Sequence, residues 1–313
     1  MATATKAYTL INLPINSSGH QSVVQKTYVG TNNIYCLQQF GTDTYISKAS
    51  IAGGQTTVDF SQGETMVLTN TGHAQTLDWY QHDGKDYFLV ATYPKANETT
   101  QEWATQLARV QFQSGRTIDP ATLTGLSWLD HANTTGSDFE TLLRVEAAIS
   151  TSREYLLIMG IRTGDHHAQL TYYNLEGLNN VLDSVEASGA YAVQCNDARI
   201  TAQAIDTWQT SSSIYGLMQV NNSVQGMDFS DGQAVYFSSG GLGQTPTVVK
   251  VAWKSTNFRP VSFSGDWGAY HETEGIQVKD TLYLGISTHL NNDTGSGNYT
   301  TGNYVYTVDK GNW

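Results

Sequence analysis

The stretch "SVQGMDFSDGQAVYFSSGG", residues 223–241, decides how this chain of 313 residues folds. An apolar-alternating run meets a Ser-Asp-Gly turn, and a second run, "AVYFSS", follows at once. Alternation with period two marks a half-buried strand, and Asp and Gly tolerate the left-handed backbone of a tight hairpin. The pattern recurs from Gln21, Gln75, Glu146, Gln225 and Glu274, at spacings of 54, 71, 79 and 49 residues. The turns carry Asn32–Asn33, Asp83–Gly84, Ser152–Arg153, Asp231–Gly232 and Lys279–Asp280. The second strand of each hairpin has a tyrosine near the same place: Tyr35, Tyr87, Tyr155, Tyr236 and Tyr283.

A third alternating strand follows each pair, at 44–51, 107–113, 168–175, 248–253 and 303–309. A fourth is expected at segments such as "TTVDF" (56–60) and "FRPVSF" (258–263). A small antiparallel sheet cannot bury both faces alone, and radial stacking of such sheets solves that problem. The expected fold is therefore all-β: one five-bladed propeller domain over 1–313, with blades starting near 20, 73, 144, 223 and 272. "KAYTLINL" (6–13) is expected to close the ring by joining the last blade. A β-sandwich or two β domains is the alternative, and the recurrence of the hairpin argues against it. One minor helix is expected at 175–188, where Leu175, Leu178, Val181, Leu182 and Val185 fall at helical spacing.

Charged residues make up only 14% of the chain and the formal net charge is −12. Without a Lys/Arg cluster, nucleic acid is not an expected partner. No apolar run approaches the roughly 18 residues of a membrane-spanning helix. "MATATKAYTL" lacks the basic and apolar regions of a secretory signal. Cys36 and Cys195 fit no metal spacing and are expected as separate half-buried thiols.

The pieces "SVVQKTYVGTNNIYCLQ", "WATQLARVQF", "RVEAAIST", "LTYYNLEGLNNVLD" and "SVQGMDFSDGQAVYFSS" resemble, in order, the helveticin J family. Those are large, heat-labile, class III-type bacteriocins of lactobacilli, and the resemblance runs from about residue 21 to residue 309. It implies an antibacterial protein that recognises a cell-envelope glycan or surface component of related bacteria. It also implies a secreted or surface-associated protein without an evident signal peptide. The residues alone point to an acidic, polar β-propeller that binds rather than catalyses. The alternatives are a glycan-active hydrolase and a non-killing lectin or surface propeller.

In a propeller the innermost strands run along the axis. The recurring Gln21, Gln75, Glu146, Gln225 and Glu274 would then ring one mouth, with His20, His73, Arg144, His271 and Glu272 beside them. Such side chains either bind a ligand or clasp the ring through hydrogen bonds to the next blade. Glu146 and Glu274 are the weak candidates for a glycosidase pair, with Glu272 as a second option. No cofactor and no metal site is expected, although the same carboxylates could hold an axial cation. Asp165, His166 and His167 read as a solvated turn rather than a metal cluster. The "HLNNDTGSGNYTTGNY" segment (289–304) reads as a flexible surface loop, although its composition also suits sugar contacts or calcium without the order of an EF-hand. The 18 tyrosines and 7 tryptophans suit a carbohydrate partner, because a sugar's apolar face stacks on an aromatic ring. Trp128 and Trp267, in polar Gly-rich connections, are the expected loop contacts, and Trp253 is expected between blades.

Overall fold

The computed structural model describes residues 2–96, 98, 101–293 and 297–312. Trp313 and part of the 289–304 loop lie outside the described residues. The chain is all-β with few helices, and its strands form two five-stranded sheets, a four-stranded sheet and a nine-stranded sheet. The hairpins read from the sequence are present. Val24–Val29 pairs with Asn33–Phe40, Leu77–His82 with Lys85–Lys95, and Leu142–Ile149 with Tyr155–Arg162. Gly226–Phe229 pairs with Ala234–Ser239, and His271–Val278 with Leu282–His289. Asp83 and Gly84 both take positive φ, so that hairpin closes in two residues. At 231–233 it is Gln233, with φ 56°, that takes the left-handed conformation.

The expected third strands pair in place, and Ala2–Ile11 runs antiparallel to Thr300–Val308. Three expectations are corrected. Thr57–Asp59 does not complete the first sheet but runs parallel to Ala2–Ile11. Val58 is drawn into a core with Leu10 and Phe60, Glu64–Leu68 pairs with Asp43–Ser50 in its place, and Thr117–Ile118 adds the edge beyond it. The last two units are not separate sheets: Ala2↔Phe263 and Thr3↔Ser264 join them in parallel. The helix Leu175–Ala187 is accompanied by two four-residue helices, Ala198–Thr201 and Ile214–Leu217. All five apolar residues that predicted the long helix are buried, against strands of the second and third hairpin units.

The apolar core is divided into five clusters, each shared by two units adjacent in the chain or, for one, by the last and the first. Phe88 and Ile46 belong to one, Leu156 and Leu89 to the next, and Phe237 and Met159 to a third. Leu284 packs with Val248, and Val305 with Ile34. Trp253 packs against Trp208, Tyr172 and Phe229, between the third and fourth units as expected. The first strands of the hairpins touch one another in the same cyclic order.

Side-chain acceptors tie several of these inner strands to their neighbours. Asp228 Oδ2 accepts the Val278 N–H at 2.5 Å, and Gln277 Oε1 accepts the Val29 N–H at 2.8 Å. Thr76 Oγ1 accepts the Ala147 N–H at 3.0 Å, and Asn303 Oδ1 accepts that of Val24 at 2.9 Å. A buried N–H beyond the reach of its own sheet needs such a partner. Glycine permits the closest approaches. A Cβ on Gly226 would lie 2.7 Å from Gly275 Cα, and one on Gly275 would lie 2.6 Å from the Gln25 carbonyl oxygen. Gly275→Val is expected to destabilise the protein by about 3 kcal/mol or more, because backbone rather than a flexible side chain would have to move. Urea denaturation checks this, and a loss below about 1 kcal/mol would show that the inner strands can separate.

Candidate functional site

The residues singled out by the repeat divide into a buried network and an open cleft. In the network, Arg144 Nη2 donates to Gln75 Oε1 and to Glu146 Oε1, each at 2.7 Å. Arg144 Nη1 donates to the Val224 carbonyl at 3.2 Å. Its guanidinium carbon lies 4.0 Å from the centroid of the Trp103 ring, against which His73 packs edge-on. Thr76 donates to Glu146 Oε2 at 3.1 Å, and Gln75 Nε2 donates to Gln25 Oε1 at 3.0 Å. These contacts join segments far apart in the chain, as a clasp must.

Burial corrects several expectations here. Gln75, Glu146 and Glu274 are no more than 2% exposed, so they do not line a solvent-reachable funnel. Glu146 and Glu274 lie inside strands Leu142–Ile149 and His271–Val278 rather than at their first residues. Both Glu146 oxygens are engaged, one by a guanidinium, which leaves that carboxylate no place in an axial cation site. Burial, and after it the Glu272 charge, push the Glu274 carboxyl well above the usual carboxylate range. Its Oε1 is buried without a hydrogen-bond partner. His73 is pushed down to about 3 by burial and then by Arg144, so it carries no charge change near neutral pH. His271 is held between the carbonyls of Gly268 and Gln244, each 3.1 Å from a ring nitrogen. Trp267 is 8% exposed and packs on Tyr306 with ring centroids 4.6 Å apart, so it is a core residue and not a loop contact.

Farther along the inner strands lies a charge cluster missed in the sequence. Lys26, 1% exposed, donates to the Met227 carbonyl at 3.1 Å and lies 4.0 Å from Asp78 Oδ1. Asp78 and Asp228 are buried too. Burial raises both carboxyls, Asp228 to about 7, with Lys26 pulling the other way. A signal was present: each aspartate stands three residues after a recurring glutamine, in "QTLD" and "QGMD".

The open cleft, of about 590 Å³, is lined by His20, Gln21, Gln39, Glu272, His289 and Tyr299 among others. His20 stacks on Tyr299 with ring centroids 3.9 Å apart and planes 15° apart. Gln21 Oε1 accepts from Asn303 Nδ2 at 3.1 Å, and Glu272 Oε1 accepts from Gln225 Nε2 at 3.3 Å. Glu272 Oε2 lies 3.2 Å from His289 Nε2. The amide oxygen of Gln39 is buried and has no hydrogen-bond partner. Four of the expected residues, His20, Gln21, Gln225 and Glu272, thus meet at or beside the cleft. Nothing local in the sequence marks Gln39, whereas His289 and Tyr299 belong to the 289–304 segment, whose composition suits sugar contacts.

Trp128, 50% exposed, stands apart from both groups. Asp165 pairs with Arg162 and His166 with Glu98, so the 163–167 turn is a surface ion-pair cluster. Cys36 and Cys195 are free and fully buried, more deeply than the half-buried thiols expected. Among the described residues, two groups, His82/Asp83/Asp183 and Asp130/His131/Asp138, have ligand atoms mutually within 4.8 Å, and neither includes Glu146 or Glu274.

Comparison with known proteins adds the decisive observation: the bacteriocin helveticin-J family matches residues 3–311. The chain belongs to the helveticin-J family. A curated relative, bacteriocin helveticin-J of Lactobacillus helveticus, is 24% identical over 92% of this chain and 93% of its own length. Among solved structures, a GH43_1 enzyme from Xanthomonas citri superposes with a TM-score of 0.44 at 9% identity, over 98% of this chain and 90% of that one. The polysaccharide lyase Uly1 gives 0.39 at 7% identity, over 98% and 97%. The xyloglucan GH43B protein of Bacteroides ovatus gives 0.44 at 8% identity, and the helveticin-J family chain spans 54% of it. These likenesses are distant and carry no argument about chemistry. No described helix of this helveticin-J family member is long and apolar enough to cross a membrane.

Proposed function

We propose that this helveticin-J family member is an antibacterial protein that acts outside the cell producing it. On this reading it is a single five-bladed propeller domain. The cyclic contacts of the five inner strands and the five shared core clusters support that architecture. The partner is a cell-envelope glycan of related bacteria, bound at the cleft between Gln21 and Glu272. The observation that carries the binding site is the cleft itself, where the stacked His20–Tyr299 pair stands among amides and a carboxylate. A hydrolase reading would rest on Glu146 and Glu274, which have almost no solvent contact, or on Glu272, whose two carboxylate oxygens already meet Gln225 and His289. Binding is therefore the better-supported reading.

Purified protein is expected to bind and kill some members of a panel of lactobacilli. Tyr299→Ala and Glu272→Gln are each expected to weaken cell binding by about fivefold to tenfold, the effect of roughly 1 kcal/mol. Absence of both binding and killing across the panel would reject the reading. Binding without loss of viability would make the protein a lectin.

A further inference from the structure

Among the described residues, Tyr93 and Trp128 are two of the most exposed large hydrophobic side chains, at 57% and 50%. They line a single cleft of about 290 Å³, together with Lys95, Thr105, Gln106 and Asp130. Both rings are held out by backbone that disfavours them. Tyr93 has φ 66° and Trp128 has φ 54° and ψ 53°, a left-handed conformation that is unfavourable for a bulky L-residue. Neighbouring contacts hold them there. Thr105 donates to the Tyr93 carbonyl at 3.1 Å, and the His131 N–H donates to the Trp128 carbonyl at 2.9 Å. Leu129, next to Trp128, is 2% exposed and anchors that turn in the core.

The position of the cleft in the fold matters as much as its lining. Lys85–Lys95 runs antiparallel to its inner strand, so Tyr93 lies at the end where Leu77–His82 begins. Leu142, the first residue of the next inner strand, also lines the cleft. The cleft at Gln21 and Glu272 likewise sits where the inner strands Val24–Val29 and His271–Val278 begin. On the propeller reading proposed above, in which the inner strands run in one direction, both clefts belong to the same face of the molecule.

We infer that Tyr93 and Trp128 form a second saccharide-binding subsite, on which the apolar face of a pyranose ring stacks. Gln106, Thr105, Asp130 and Lys95 offer amide, hydroxyl, carboxylate and ammonium partners to its hydroxyls. This rests on the glycan reading proposed above and extends it: a polymer lying across one face touches two subsites, which multiplies weak contacts into avidity.

The test measures affinity for cell walls purified from lactobacilli, alongside the melting temperature. Tyr93→Asn and Trp128→Asn suit it, because asparagine tolerates the left-handed conformation that both positions require. Each variant is expected to bind walls about tenfold more weakly while melting at or above the parent temperature. Trp128→Phe, which keeps an aromatic face, is expected to retain most of the affinity. Wall affinity within twofold of the parent in both asparagine variants would overturn the inference, as would a parent protein that binds no wall. Glu272→Gln run in parallel separates the two sites. Weakening in the asparagine variants but not in Glu272→Gln would remove the first cleft and keep this subsite, and the reverse pattern would do the opposite.

Discussion

Replacing Arg144 with Met is expected to lower stability at neutral pH by about 3–5 kcal/mol, the usual effect of breaking a buried ion pair from one side. Arg144 and Glu146 are 2% and 1% exposed, and the guanidinium serves Glu146, Gln75 and the Val224 carbonyl at once. Removing it strands Glu146 as a buried charge whose other partner is a neutral hydroxyl, that of Thr76. The double replacement Arg144→Met with Glu146→Gln should recover part of the loss, since no unpaired charge then stays in the core. Arg144→Lys should not rescue, because one ammonium on a flexible stem cannot serve the same planar set of acceptors. Denaturant unfolding of the three variants checks the argument. A loss under about 1 kcal/mol for Arg144→Met would show that the network does not clasp the inner strands.

Lys26→Met should be comparably damaging at pH 8, by about 3–5 kcal/mol, and clearly less so at pH 5. The reason lies in the carboxyls of Asp78 and Asp228. Burial raises both above the unfolded value of 3.8, Asp228 to about 7, even with Lys26 opposing. A carboxyl whose folded pKa is raised takes up a proton on folding. Its contribution to stability is greatest below about pH 4 and is lost as pH rises through 7. Deleting Lys26 raises these carboxyls further, which deepens the penalty at pH 8, whereas at pH 5 protonation relieves it. His73 works in the other direction. Its folded pKa is pushed from 6.5 down to about 3, so its contribution is intact above 6.5 and is lost as pH falls toward 3. In the parent protein these two effects therefore oppose each other between about pH 4 and 6.5, and above that range the loss from Asp228 stands alone. Unfolding free energies at pH 5 and pH 8 test both statements. An equal penalty for Lys26→Met at the two pH values would assign the lysine to packing alone.

The clasp also bears on how the repeat is to be understood. Recurring polar residues at corresponding places of several hairpins suggest a ligand ring, but most of those here face one another. Only where the succession of inner strands passes from the last unit to the first, at Gln21, Glu272 and Tyr299, does the same polar set open to solvent. That boundary also joins the two ends of the chain, through the pairing of Ala2–Ile11 with Thr300–Val308.

What the sequence determined by itself is local. Period-two alternation and short turns specified the hairpins, because strand pairing across two to five turn residues needs no distant information. Helical spacing of Leu175, Leu178, Val181, Leu182 and Val185 specified the long helix for the same reason. Family membership was also legible, since several pieces stand in order along the chain. Tertiary structure alone decided which polar residues are sites. Trp128 and Trp267 occupy connections of similar composition, yet Trp267 is covered by Tyr306 from another strand while Trp128 is left outside. Glu146 and Glu272 both belong to inner strands. Arg144, Thr76 and Gln75 close around Glu146, whereas Glu272 meets His289 and Gln225 at the edge of a cleft. Burial is a property of what the rest of the chain brings to a position, and a residue's own neighbours in sequence do not encode it.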